Sequence, residues 1–142
     1  MRRHHPSLFG LIRRDGKQTG RQWERVFKPS EVYVDVGADF GHLSIEAALL
    51  VRSVGQVYAF EGHPRICAHL RENVALNRLS NVRIAQIAIG DTGGWTRFSD
   101  YHADDMNRVD SRSPIAVLML PLDLILSELS LTLHYSPEQG GT

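Results

Sequence analysis

The residues with the clearest chemical potential are Asp35-Val36-Gly37-Ala38-Asp39-Phe40-Gly41-His42 and, 24 positions beyond Gly37, Glu61. Glycines at a turn permit positive φ and let a ligand approach the backbone closely. A helix that starts just after such a turn presents free N–H groups. An acid about 20 residues beyond the glycine turn is placed to accept hydrogen bonds from ribose hydroxyls. Gly62, next to Glu61, is expected to leave room for the sugar. A dinucleotide would call for G-x-G-x-x-G, so that backbone amides meet its pyrophosphate. Here Gly37 and Gly41 are four apart, and Asp39 holds the middle slot, where a carboxylate would repel a pyrophosphate. S-adenosyl-L-methionine carries a sulfonium and an ammonium and no phosphate, so acids beside the turn suit it. The charge pattern favours a methyl donor. The plainer alternatives are a glycine turn that only packs helix on strand, and a Glu61 that is merely an exposed charge at a strand end.

Such a turn needs a strand before it and a helix after it, and the surrounding sequence supplies both. Val32 to Gly37 is β-branched and apolar apart from Asp35, as expected of a strand buried on both faces of a parallel sheet. His42 to Val54 reads as a helix with Leu43, Ala47, Leu50 and Val54 at helical spacing and Gly55 at its end. Val57 to Phe60 is a second buried strand. Pro64 suits a first helical turn, and Ile66, Cys67, Leu70 and Val74 form one stripe behind it. Val82 to Ile89 reads as a third strand. The order β-α-β-α-β with short joints predicts an α/β domain with parallel strands and right-handed crossovers. Beyond it, Gly90 to Gly94 is turn chemistry and Trp95 to Phe98 a returning hairpin strand. Tyr101 to Ser113 reads as a loop, Ile115 to Leu120 as a further strand, and Leu122, Ile125, Leu126 and Leu129 as a short helix.

The 142 residues suit one domain, and the longest apolar run, Ile115 to Leu120, is far short of the roughly 20 residues of a membrane span. One cysteine, Cys67, excludes a disulfide framework and a multi-cysteine zinc site. Net charge is zero, but residues 1–28 carry eight Arg or Lys against Asp15 and Glu24. The chain thus divides into a basic arm (1–28), a Rossmann-like domain (29–135) and a polar tail (136–142). The arm is read as a solvated leader, with nucleic acid not expected as a partner. Arg21 to Lys28 within it forms a short helix that Pro29 stops.

These motifs resemble a known family. Val34-Asp35-Val36-Gly37-Ala38-Asp39-Phe40-Gly41 is similar to motif I of class I methyltransferases in the D-x-G-A-N-x-G form of the FkbM family. Val57 to Pro64 resembles the block with that family's ribose-binding Glu, and Leu70 to Asn77 its L-x-x-N-x-x-x-N helix. Ala88-Ile89-Gly90-Asp91 with Gly94, and Pro121-Leu122-Asp123-Leu124-Ile125-Leu126, resemble its later segments. The resemblance covers roughly residues 28 to 128. It implies a Rossmann-like class I methyltransferase sheet and S-adenosyl-L-methionine as cofactor. Asp35, Gly37, Ala38, Asp39, Gly41 and Glu61 would then be the cofactor-binding residues. Gly37 and Gly41 would line its methionine and ribose side, Asp35 would act near the methionine ammonium, and Glu61 would hold the ribose. The stretch around Ala88 would flank the adenine. The implied reaction is O-methyl transfer to a hydroxyl of a sugar, lipid or natural product, by a cytoplasmic enzyme acting on a small-molecule or glycan acceptor.

Two departures stand out. Asp39 replaces the family's usual Asn, and Leu129 to Thr142 lacks the acceptor-side K-x-D-x-E-G-x-E strand. The sheet is therefore expected to be incomplete: three parallel strands, a hairpin and one further strand. One edge of the first strand would stay unpaired and invite self-association, unless Ile115 to Leu120 covers it. Turnover by the chain alone is expected to be slow or absent. The alternatives are a non-catalytic, truncated cofactor-binding or interaction module and, with less support, an RNA methyltransferase. No residue stands out as catalytic base. His102-Ala103-Asp104-Asp105 lacks a second ligand cluster, so no metal is expected. His42 is either a cofactor contact or an exposed first-turn histidine, and Cys67 a small hydrophobe.

Overall fold

The computed structural model describes residues 21–100 and 108–134. The elements are α1 (Arg21–Glu24), β1 (Val32–Val36), α2 (His42–Val51), β2 (Gln56–Phe60), α3 (Pro64–Leu76), β3 (Val82–Ala85), β4 (Ala88–Ile89), β5 (Gly94–Phe98), β6 (Ile115–Leu120) and α4 (Leu122–His134). Strands β1, β2 and β3 form a parallel sheet in the order 1-2-3, with Asp35 beside Ala59 and Val36 beside Phe60. The expected βαβαβ unit is therefore present, in a Rossmann-like α/β fold with a small second sheet.

Period-two alternation in β2 assigns its two faces. Val57 and Ala59 point towards α2 and α3, where Phe27, Ile45, Ala47, Ala48, Val51, Leu70 and Val74 complete the core. Tyr58 and Phe60 point the other way, into a cluster with Ile125 of α4 and the half-buried Val34, Ala85, Ile89, Leu120 and Leu129. Phe27 stacks on Trp23 and meets Tyr33 edge-on at 4.5 Å, so the end of the basic segment packs into the sheet's underside. Residues 1–20, the core of the 101–113 loop and the 136–142 tail lie outside the described residues.

Several sequence expectations are corrected. The third strand breaks in two: β3 pairs with β2, whereas β4 leaves that sheet and pairs with β6. Gly62 lies where the second sheet approaches the end of β2. A Cβ there would lie 2.7 Å from Ala88 Cβ and 2.8 Å from Val117 Cγ1, so the glycine admits the second sheet and does not make room for a sugar. The β5 strand does pair antiparallel, but with β6, which lies between β4 and β5. Helix α2 ends at Val51, three residues early, because Arg52 takes φ 62°. Leu43, Ala47 and Leu50 pack on the core as expected, but Ser44, Ile45, Ala48 and Val51 are buried beside them, and Val54 is exposed. An almost uniformly apolar helix gives periodicity no polar face to register against. Since β6 belongs to the second sheet, the outer edge of β1 carries no strand among the described residues.

Candidate functional site

The carboxyl ends of β1 and β2 meet at the glycine turn. Gly37 has φ 68° and open space where a Cβ would stand, which leaves its backbone approachable. Ala38 N–H donates to Phe60 O at 2.9 Å and ties the turn to the end of β2. Asp39 follows at φ 57°, a left-handed conformation that Asp and Asn tolerate better than other L residues. That conformation accounts for an Asp or an Asn at this position. Gly41, at φ 96°, caps α2, and any Cβ there would strike Leu70 Cδ1. Asn73 on α3 donates to Phe40 O at 2.9 Å and fixes the turn from below.

Glu61 sits at the centre. It is only 9% exposed, and its carboxylate accepts from Asp39 N–H at 2.8 Å and from His63 N–H at 3.1 Å. One carboxylate therefore joins the turn after β1 to the start of α3. Each oxygen keeps a further lone pair for hydroxyl donors. This is not the exposed strand-end charge of the plainer reading. Gly62 and Ala88 pack together directly beside it, which places the Ala88 stretch at the end of β2.

Asp35 is also buried, on the face of β1 towards α2. Its carboxylate accepts from the Ser44 hydroxyl. Burial pushes the Asp35 carboxyl above its usual range, while hydrogen bonds from the Ser44 side chain and backbone pull it down. The negative charge thus lies at the first turn of α2, where the helix dipole favours it. Asp35, Gly37, Ala38, Asp39, Gly41 and Glu61 all gather at this one end of the sheet. His42 is exposed, with Nε2 3.9 Å from Glu46 Oε1 on its own helix. His102, Asp104 and Asp105 lie outside the described residues, among which no group of three His, Cys, Asp or Glu could hold a metal.

Two neighbours of the turn escaped sequence reasoning. Ser44 follows Asp35 by nine residues, a separation that carries no periodic signal. It could be found only by knowing that α2 starts at His42. His63, 1% exposed, caps α3: its Nδ1 accepts from Arg65 N–H at 3.2 Å, and its Nε2 lies 3.1 Å from Asp100 Oδ1. Arg65 also reaches Asp100 Oδ1, through Nε at 3.2 Å and Nη2 at 2.9 Å, and holds that carboxyl below its usual range. A residue immediately before an N1 proline is a legible cap position, so His63 had a sequence signal. Its link to Asp100, 37 residues away, had none.

The chain is similar to methyltransferases. It is 41% identical over 54 residues to a protein of Sulfolobus acidocaldarius described as a probable cobalt-precorrin-6B C(15)-methyltransferase (decarboxylating), covering 38% of this chain and 28% of that one. It is 34% identical over 76 residues to protein-L-isoaspartate O-methyltransferase of Aeropyrum pernix, covering 53% of this chain and 28% of that one. The chain thus spans just over a quarter of the length of these curated relatives. An S-adenosylmethionine-dependent O-methyltransferase of Thermotoga maritima overlays on 78% of this chain and 71% of its own, at 12% identity and a TM-score of 0.44. No family model matches the chain.

Proposed function

We propose that this end of the sheet binds S-adenosyl-L-methionine and that the protein of which it is part transfers methyl groups. The observation that carries the reading is Glu61, an acid locked by two backbone N–H donors beside a glycine turn with open backbone. The residues fit the cofactor. Glu61 keeps lone pairs for two ribose hydroxyls, and Asp35 supplies negative charge for a cationic ligand. Two buried acids beside the turn make the same place hostile to a pyrophosphate. When bound, the cofactor would supply an electrophilic methyl group on a sulfonium. The chain's own part is to hold the ribose at Glu61 and to bring the backbone of Gly37 close. Orientation of this kind is where such displacements gain most of their rate.

An FkbM-type role, O-methylation of a hydroxyl on a sugar, lipid or natural product, is the finer part of this proposal and rests on the motif order from Val34 to Leu126. Transfer to a hydroxyl also needs a base, and no residue of the sequence stands out in that role, so a cofactor-binding module without its own turnover is the second reading. Calorimetric titration tests the first claim: the methyl donor, or its demethylated product, should bind more tightly than NAD. Tighter binding of NAD refutes it. Radiolabelled methyl transfer to a hydroxylated acceptor by the purified chain, lost in Gly37→Arg, would remove the second reading.

A further inference from the structure

His63 stands between Gly62 and Pro64, and the proline constrains what its groups can do. Pro64 opens α3 without an N–H, so the first amide left to cap is that of Arg65. A residue before proline is held extended, as His63 is at φ −74° and ψ 123°. Its main chain then serves two neighbours. The N–H donates to Glu61 Oε1 at 3.1 Å, and the C=O accepts from Cys67 N–H at 2.8 Å. Whatever turns His63 therefore moves one of the two donors that aim Glu61.

The imidazole offers more than a cap needs. Ser, Thr, Asn or Asp would receive the Arg65 amide with a single acceptor. In His63 that acceptor is Nδ1, at 3.2 Å, and an accepting ring nitrogen carries no proton. The proton of the neutral ring is then on Nε2, a buried donor that requires a partner. Nε2 is fully buried and lies 3.1 Å from Asp100 Oδ1. Asp100 is itself held in place. Arg65 Nε and Nη2 both donate to the same oxygen, at 3.2 and 2.9 Å. Ser99, just before it, is 3% exposed and pairs twice with Arg108: its N–H donates to Arg108 O, and its hydroxyl accepts from Arg108 N–H.

We propose that His63 is a positioning residue for the Glu61 carboxylate, held as the Nε2–H tautomer by Asp100, so that the end of β5 helps to aim Glu61. The inference rests on the reading of Glu61 as the acid that holds the ribose. With Asp100 present, turning the ring would strand a buried N–H, so His63 N–H stays on Oε1 and the outer lone pairs of Glu61 stay available. Without Asp100, Nε2–H loses its acceptor. The ring then gains by rotating, or by moving its proton to Nδ1, where it opposes the Arg65 amide. Either change disturbs the main chain of His63 and, through it, the aim of Glu61.

Two substitutions separate positioning from simple capping. An Asn amide reaches as far as Nδ1 and keeps the cap, whereas a Gln amide reaches as far as Nε2 and keeps the contact with Asp100. If His63 only caps α3, His63→Asn should match wild type and His63→Gln should be the worse. Positioning predicts the opposite order for affinity. In calorimetric titration of the 142-residue chain with the demethylated product of the methyl donor, His63→Asn and Asp100→Ala should bind about three- to tenfold more weakly than wild type. His63→Gln should retain more of the affinity than His63→Asn. Asp100 is 44% exposed at its side chain, so Asp100→Ala should keep the fold, which circular dichroism checks. A second readout needs no cofactor. In proton–nitrogen correlation spectra of the ligand-free chain, the His63 ring should show a bare Nδ1 and a protonated Nε2. Asp100→Ala should move the His63 backbone amide proton upfield, as its bond to Glu61 weakens. A protonated Nδ1 in the wild type, or an amide proton unmoved by Asp100→Ala, overturns the proposal whether or not the cofactor binds. So does a His63→Asn chain that binds as tightly as wild type. A wild type that binds neither the methyl donor nor its product refutes the reading of the site instead, and the spectra then decide the positioning role alone.

Discussion

Ser44→Ala tests whether the buried acid of the glycine turn is held as the geometry indicates. The substitution removes one hydroxyl that donates to Asp35 and leaves the backbone N–H of residue 44 in place. A hydrogen bond to a charged group contributes about 1.5–3 kcal/mol, and one to a neutral group about 0.5–1.5 kcal/mol. The sign with pH follows from the raised Asp35 carboxyl. An acid whose folded-state value lies above its unfolded one favours the fold fully below the unfolded value. It loses that contribution as pH rises through the folded value. Without the hydroxyl, one of the two influences that pull the value down is gone, so ionising Asp35 becomes costlier. Ser44→Ala should therefore cost about 1.5–3 kcal/mol near neutrality and only the smaller, neutral-bond amount once acid has protonated Asp35. Urea denaturation of wild type, Ser44→Ala, Asp35→Asn and the double variant, at neutral and acid pH, reads this out. In the Asp35→Asn background the cost should again be the smaller one. An equal cost in both backgrounds, with no change in pH dependence, would refute the charge argument.

Two further outcomes follow from the same turn. Glu61→Gln leaves one oxygen for two backbone donors, so Asp39 N–H or His63 N–H meets an amide NH2. The protein should lose about 1–3 kcal/mol of stability and bind the methyl donor more weakly, measured by thermal unfolding and calorimetry. An unchanged melting temperature would contradict a structural role for the two amides on Glu61. Gly41→Ala combines a left-handed backbone with a collision against the fully buried Leu70, and should cost about 2–4 kcal/mol. Gly37→Ala, with open space around it, should cost only the backbone part, about 1–2 kcal/mol. Equal losses in urea titrations of the two would contradict the packing of Leu70 on the turn.

The site was legible because its parts are local or follow from strand order. Val32–Val36 and Gln56–Phe60 announce two buried strands, and the glycine turn with Glu61 falls at their carboxyl ends in any parallel arrangement. The stripe Ile66, Cys67, Leu70 and Val74 was read correctly because Arg65, Arg71 and Glu72 mark the opposite face of α3. Helix α2 offered no such contrast: Leu43, Ala47 and Leu50 do meet the core, but the burial of Ser44, Ile45, Ala48 and Val51 went unread and Val54 is exposed.

What the sequence by itself determined is the set of elements and the chemistry at their ends. Apolar runs fix strands, glycines permit positive φ, and an acid at a strand end stands at that end of the sheet whatever the packing. Only the tertiary structure decided the partners. The hydroxyl of Ser44 on Asp35, the two amides on Glu61, the Asp100 carboxylate beside His63 and the departure of Ala88 into a second sheet all join residues distant in the chain. Their contacts depend on how helices rotate and strands pair, and no local periodicity encodes either.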